Sequence, residues 1–178
     1  CCINTQTAAL LTLHEGLNRQ DRALQQLLTL LENEDDKLKT GFVGTPLLCE
    51  ELADHGQETL ADKLLLNEEY PGWLHEVNLG ATTVWERWNS LDESGHISST
   101  GMNSLNHYAY GAVAAYIWKR LVGLNPVEDA PGFHKVQIIP HVNYSIGSIQ
   151  AVYPSPVGEY RGIYCLDAAN AVIYMRYN

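Results

Sequence analysis

Apolar residues recur at helical spacing through the first part of the chain, in 5–17 (TQTAALLTLHEGL) and in 20–33 (QDRALQQLLTLLEN). The expected buried positions are Ala8 and Leu11 in the first segment and Leu24, Leu27, Leu28 and Leu31 in the second, steps of three or four residues that keep one helix face apolar. A third helix is expected over 46–55. Thr45 can cap it, Pro46 suits its first position because no N–H is needed there, and Gly56 can end it. A fourth, over 58–69, should stop at the turn signal Tyr70-Pro71-Gly72.

The helical period is then lost. Residues 72–83 mix aromatic, glycine and β-branched positions and read as an ordered loop or short hairpin, feeding a helix that begins near Thr82 or Thr83 with Glu86 close to its first turn. After a polar loop at 92–101, Asn103 or Ser104 should cap a long helix that Gly123 terminates. Gly111, Ala112, Ala114 and Ala115 would let a neighbour approach it closely, so it is expected to be an inner helix. Residues 123–132, with two prolines and two glycines, read as a linker. Beyond it, HKVQIIPH, GSIQAVYPS, GEYRGIYCLD and NAVIYMRYN are short alternating or β-branched runs between turn residues, the pattern of strands. The expected organisation is mainly α, with a helical part over 1–123 and a linker and β segment over 124–178.

Eleven basic against twenty-one acidic residues give a net charge of −10. Such a surface repels phosphate backbones and anionic lipid, so neither nucleic acid nor a membrane is an expected partner. The uncharged apolar runs fall far short of a bilayer span. The sequence starts at Cys1 and passes at once into a helical pattern, so its natural start is expected upstream, and the last strand run is expected to continue beyond Asn178. Cys1, Cys2, Cys49 and Cys165 lack the C-x-x-C spacing of a zinc or redox site. Adjacent Cys1 and Cys2 cannot easily bridge each other, Cys49 and Cys165 read as small buried hydrophobes, and a reducing, cytoplasmic compartment is expected.

The densest chemistry is Trp85-Glu86-Arg87-Trp88, directly after Gly80-Ala81-Thr82-Thr83. Taken alone, such a cluster is more often a solvated ion pair beside a core tryptophan. The small residues before it, the nearby Tyr70 and Trp73, and a helix start favouring the charge of Glu86 support another reading. Aromatic rings stack on apolar sugar faces while a carboxylate handles protons, so this is a candidate sugar site. His107, in the expected first turn of its helix, is ordinarily a histidine satisfied by packing. In a helical toroid alternate helices run parallel, which would bring its side chain to the same end as Glu86. His55, His75, His96 and His107 show no metal-binding spacing, and there is no G-x-S-x-G elbow or phosphate loop. No metal or cofactor is expected, and Gly41-Phe42-Val43-Gly44 reads as a tight turn before Pro46.

TGFVGTP (40–46), LADKLLLNEEYPGWLHEV (60–77), GATTVWERWNS (80–90), GMNSLNHYAYGAV (101–113) and APGFHKVQIIP (130–140) resemble, in this order and spacing, motifs of the bacterial α-L-rhamnosidases of glycoside hydrolase family 78. The resemblance covers almost the whole chain and is to the C-terminal part of such an enzyme. It implies a partial (α/α)6 toroid followed by a short antiparallel β-sandwich segment, and release of terminal α-L-rhamnose from glycosides with inversion. By motif it implies a general base at Glu86, a contact to bound rhamnose at His107, and Trp73 and Trp85 enclosing the site. Inversion needs a second, protonated carboxyl about 6.5–9.5 Å away across the sugar. Nothing before Thr40 resembles the family's acid motif, and Asp35-Asp36 reads as merely solvated. The chain is therefore expected to be inactive alone and to pair its apolar helix faces with the remainder of a parent chain or with a second copy. Two competing readings are a non-catalytic carbohydrate-binding or structural fragment and another inverting (α/α)6 glycosidase.

Overall fold

The structure, a computed structural model, describes residues 4–92, 94–99, 101–166 and 171–177, with side-chain surroundings as far as Tyr164. It is helical with small antiparallel sheets, and divides into two compact units, residues up to Val113 and residues from Ala114 on.

The first unit contains α1 (Gln6–His14), α2 (Gln20–Glu32), α3 (Gly41–Asp54), α4 (Glu58–Leu65) and α5 (Trp73–Asn78). Thr5 is extended, and its hydroxyl accepts from the Ala8 N–H at 3.1 Å, starting α1. Ala9, Leu10 and Leu13 form its buried face, whereas Leu11 is exposed and Ala8 half-buried, correcting the face expected from spacing. Apolar residues lie all round α1, so periodicity cannot select a face. Packing against both α2 and α3 does. On α2 the stripe is Ala23, Leu27 and Leu31, with Leu24 and Leu28 half-buried at its margins. Leu48 and Leu52 of α3 and Leu64 of α4 complete the core.

The third helix begins at Gly41, not at Pro46, which lies inside it. A proline there deprives only the Phe42 carbonyl of a donor, and tertiary bonds fix the turn before it. The Thr40 and Thr45 hydroxyls are 2.5 Å apart, and the Thr7 hydroxyl donates to the Thr40 carbonyl at 2.7 Å. The expected Gly41–Gly44 turn is thus the first turn of α3. Cys49, buried between α3 and α4, has its thiol pushed up to about 12, by burial first and then by Asp62 and Glu50. Cys1 and Cys2 lie outside the described residues, as does the side chain of Cys165.

α4 stops at Leu65, short of the expected 69, because Asn67 gathers the chain into a knot. Its amide donates to the carbonyls of Glu69 (2.9 Å) and Pro71 (3.2 Å), and its oxygen accepts from the Glu69 N–H (3.1 Å). The expected loop or hairpin after it is the short helix α5, which buries Trp73 and Glu76, three residues apart on one face. Asp36, expected to be solvated, pairs with Lys63 Nζ at 2.5 Å.

The long helix expected between residue 103 and Gly123 is instead three short pieces: a 3-10 turn (Ala109–Ala112), a single α-turn, α6 (Val113–Tyr116), and a π turn (Ile117–Leu121). Its first residues are instead bonded to the 83–86 segment. Ala114 and Ala115 are exposed, so the small residues do not make this an inner helix among the described residues. In the second unit, the expected linker contains β1 (Leu124–Pro126), antiparallel to β2 (Val136–Ile138). β3 (Ser148–Ser155), β4 (Gly158–Leu166) and β5 (Ala171–Tyr177) form a separate antiparallel sheet in that order, where alternation predicted strands. Tyr153 packs on Trp118 and Phe133, with ring centroids 5.5 and 4.3 Å away, and the Tyr160 hydroxyl donates to the Phe133 carbonyl at 2.6 Å. Among the described residues no helix is long and apolar enough to cross a membrane.

Candidate active site

Neither Glu86 nor His107 lies in a helix; both sit on irregular segments bonded to each other. α5 ends as Gly80, with φ of +84°, donates to the Val77 carbonyl and Ala81 to the Glu76 carbonyl. This folds the following strand-like stretch back. Residues 83–86 then run beside 104–107: the His107 N–H donates to the Val84 carbonyl at 2.8 Å, and the Thr83 hydroxyl donates to the Leu105 carbonyl. The Glu86 N–H donates to the Ser104 carbonyl at 2.9 Å, and the Ser104 N–H donates to Glu86 Oε2 at 2.9 Å. The helix starts expected at both residues are absent; this ladder orients the carboxylate through a backbone amide where a helix dipole was expected.

A second tie closes the loop behind Glu86. Ser90, fully buried, has its hydroxyl 2.6 Å from Asn103 Oδ1, and the Asn103 amide donates to the Ser90 carbonyl at 3.0 Å. The Ser98 N–H donates to that same carbonyl at 3.0 Å. Polar groups buried in this way must be paired, which makes the loop a defined object despite its lack of regular structure.

Below the ladder lies an aromatic floor. The Trp73 indole N–H donates to the Tyr110 carbonyl at 2.9 Å, Trp73 meets Trp88 edge-on with centroids 5.3 Å apart, and Trp88 stacks on Tyr110 at 3.9 Å. Pairs of this kind contribute about 0.5–1.5 kcal/mol each beyond their burial. Trp73 and Trp85 are 9% and 2% exposed, so both are buried, Trp73 within this floor. Glu76 is buried with them, and burial pushes its carboxyl up to about 7, opposed by the Trp85 amide. The Tyr110 hydroxyl is pushed up to about 12, by burial first, then by Glu76 and Tyr70, with Arg87 opposing and Glu86 adding. Glu76, Glu86, Arg87 and Tyr70 are therefore gathered around one phenol.

His107 lies open at the other end of the ladder. Its ring is parallel to Tyr108 at 5.3 Å and tilted against Phe42 at 5.7 Å, and both neighbours are more than half exposed. Nδ1 accepts from the Ala109 N–H at 3.3 Å, so a neutral ring carries its proton on Nε2, a donor. The structure brings Glu86 and His107 onto adjoining, mutually bonded segments.

The other histidines have local partners: His55 Nδ1 bonds the Glu51 carbonyl at 2.8 Å, His75 packs edge-on against Tyr70, and His96 pairs with Asp92. Among the described residues no group of three His, Cys, Asp or Glu is arranged to hold a metal. Glu76, Ser90, Asn103, Ser104 and Tyr110 escaped sequence reasoning. The three-residue step from Trp73 to Glu76 was the only available signal, and it is visible only once α5 is known to be a helix.

Residues 2–121 match the family model described as the bacterial alpha-L-rhamnosidase 6 hairpin glycosidase domain. The chain is 42% identical over 158 residues to an alpha-L-rhamnosidase of Formosa agariphila, covering 87% of this chain and 17% of that protein. To one of Streptomyces avermitilis it is 36% identical over 155 residues, covering 85% of this chain and 15% of that protein. It therefore spans about a sixth of the length of the curated relatives it matches. Among solved structures, Streptomyces avermitilis alpha-L-rhamnosidase complexed with L-rhamnose superposes with a TM-score of 0.88 at 34% identity, over 97% of this chain and 17% of that one. Native alpha-L-rhamnosidase from Aspergillus terreus gives 0.85 at 30% identity, over 97% of this chain and 20% of that one.

Proposed function

The chain belongs to the family of bacterial α-L-rhamnosidase glycosidase domains, and from that premise we propose that it is the base-carrying portion of an inverting hydrolase that releases terminal α-L-rhamnose from glycosides. The helices are then part of an (α/α)6 toroid and the sheets the start of a β-sandwich.

The observation that carries this reading is the pair of hydrogen bonds between Glu86 and Ser104, which holds the half-buried Glu86 by its carboxylate on the segment bonded to the one that carries His107. Oε2 is engaged by the Ser104 amide, leaving Oε1 to take a proton from the attacking water. Such a base works only with a protonated carboxyl on the opposite face of the sugar, about 6.5–9.5 Å away. Glu76 cannot fill that place because it is enclosed beneath the loop. On this reading the acid is supplied by the rest of the toroid, and this chain alone is inactive until joined to it. His107 donates from Nε2 to a sugar hydroxyl, while Trp73 and Trp85 hold the floor that fixes both segments and keeps water out.

The test is rhamnose release by the full-length polypeptide carrying this segment, against its Glu86→Gln variant. Loss of turnover with L-rhamnose binding retained supports the base. A variant that still turns over rejects it, and a full-length protein that binds rhamnosides without cleaving them indicates a non-catalytic sugar-binding module.

A further inference from the structure

Glu76 has no part in the chemistry proposed above, yet it grips the base-bearing loop at two points. Its backbone carbonyl accepts from the Ala81 N–H at 3.0 Å, where the chain turns off α5. Its side chain, 4% exposed, places Oε2 at 3.5 Å from the Trp85 N–H, while Oε1 is buried with no hydrogen-bonding partner. Trp85 is the residue directly before Glu86, so this carboxyl acts on the peptide that carries the base.

A buried acid with one unpartnered oxygen is costly to keep, and a leucine of similar size would fill the space without the penalty. We infer that Glu76 is a positioning residue for the base: its buried carboxyl holds the Trp85 amide and thereby fixes the peptide on which Glu86 is mounted. This inference rests on the reading of Glu86 as the base. Of the charged and titratable groups, Tyr110 feels Glu76 together with Tyr70, Arg87 and Glu86, and His75 lies on α5 itself, packed against Tyr70. Because burial pushes the Glu76 carboxyl up to about 7, it changes charge near neutrality.

The experiment compares Glu76→Gln and Glu76→Leu in the full-length enzyme, with kcat and KM measured on an aryl α-L-rhamnoside. Gln keeps an acceptor for the Trp85 amide and should retain kcat within about threefold, whereas Leu removes it and should lower kcat at least about tenfold with KM little changed, the size of one lost hydrogen bond. In a Glu86→Gln background, tryptophan emission should show a transition near pH 7 that the added Glu76→Gln abolishes. A Glu76→Leu enzyme with full kcat, a loss shared equally by kcat, KM and Tm, or emission that Glu76→Gln leaves unchanged overturns the inference. Should Glu76→Leu fail to fold, the emission titration decides. Turnover retained by Glu86→Gln instead rejects the base assignment, so the two failures are told apart.

Discussion

Glu86 and Ser104 are bonded to each other twice, amide to carbonyl and amide to carboxylate, each at 2.9 Å. Because one of these bonds uses the side chain, the reach of the Glu86 carboxyl is set by the backbone of a segment 18 residues away. Glu86→Asp withdraws the carboxyl by one methylene, out of range of the Ser104 amide. It should lower kcat about 10- to 100-fold with KM nearly unchanged, while Glu86→Gln, which keeps the length but cannot accept a proton, should lose about a thousandfold or more. Steady-state rhamnoside hydrolysis by the full-length enzyme distinguishes the two.

His107 presents Nε2 because Ala109 occupies Nδ1. His107→Ala should weaken binding of free L-rhamnose by about 5- to 30-fold, the range of one hydrogen bond to a sugar hydroxyl, and leave Tm within a degree or two because the ring is not buried. Calorimetric titration with L-rhamnose gives the first quantity and thermal unfolding the second.

Stability should fall as pH rises through the acid range. The Glu76 carboxyl is raised from 4.5 to about 7 in the folded chain, so the fold binds its proton more tightly than the unfolded chain does. The associated stability is fully present below pH 4.5, is lost progressively as pH rises to about 7, and stays lost above it, an effect of roughly 3 kcal/mol. Urea midpoints between pH 5 and 8 should decline in the native sequence and flatten in Glu76→Gln.

Two glycines should respond unequally to alanine. At Gly123, with φ of +75°, a Cβ would lie 2.2 Å from the Pro140 nitrogen and 2.3 Å from the Ile139 carbonyl carbon, backbone atoms that cannot step aside. Gly123→Ala should cost about 3 kcal/mol or more in the second unit. At Gly44 the nearest atom is the Thr7 hydroxyl at 2.6 Å, which can rotate away only by giving up its bond to the Thr40 carbonyl. Gly44→Ala should cost about 1–2 kcal/mol. Thermal unfolding of each variant measures the difference.

Apolar spacing located α1 and α2, cap and turn residues located α3 and α4, and alternation located β2 to β5, because each of these signals is local and needs no knowledge of what supplies the core. That same locality hid the rest. The α3 start depended on Thr7 and Thr40, the α4 end on one asparagine side chain, and the face of α1 on which helices flanked it. Residues 104 to 121 looked like one helix because their composition permits it.

By itself, the sequence determined the helix-then-strand order, the acidic composition and, through its motifs, the family, and it singled out Glu86 and His107 as candidates. Only the tertiary structure decided that neither residue stands on a helix. Val84 and Glu86 bond to His107 and Ser104, and those hydrogen bonds satisfy backbone groups that a helix would otherwise have claimed. The Val84 and Ser104 carbonyls would each accept from the residue four places on in a helix, and here they accept across the chain instead, from residues too far apart along it for any local pattern to record.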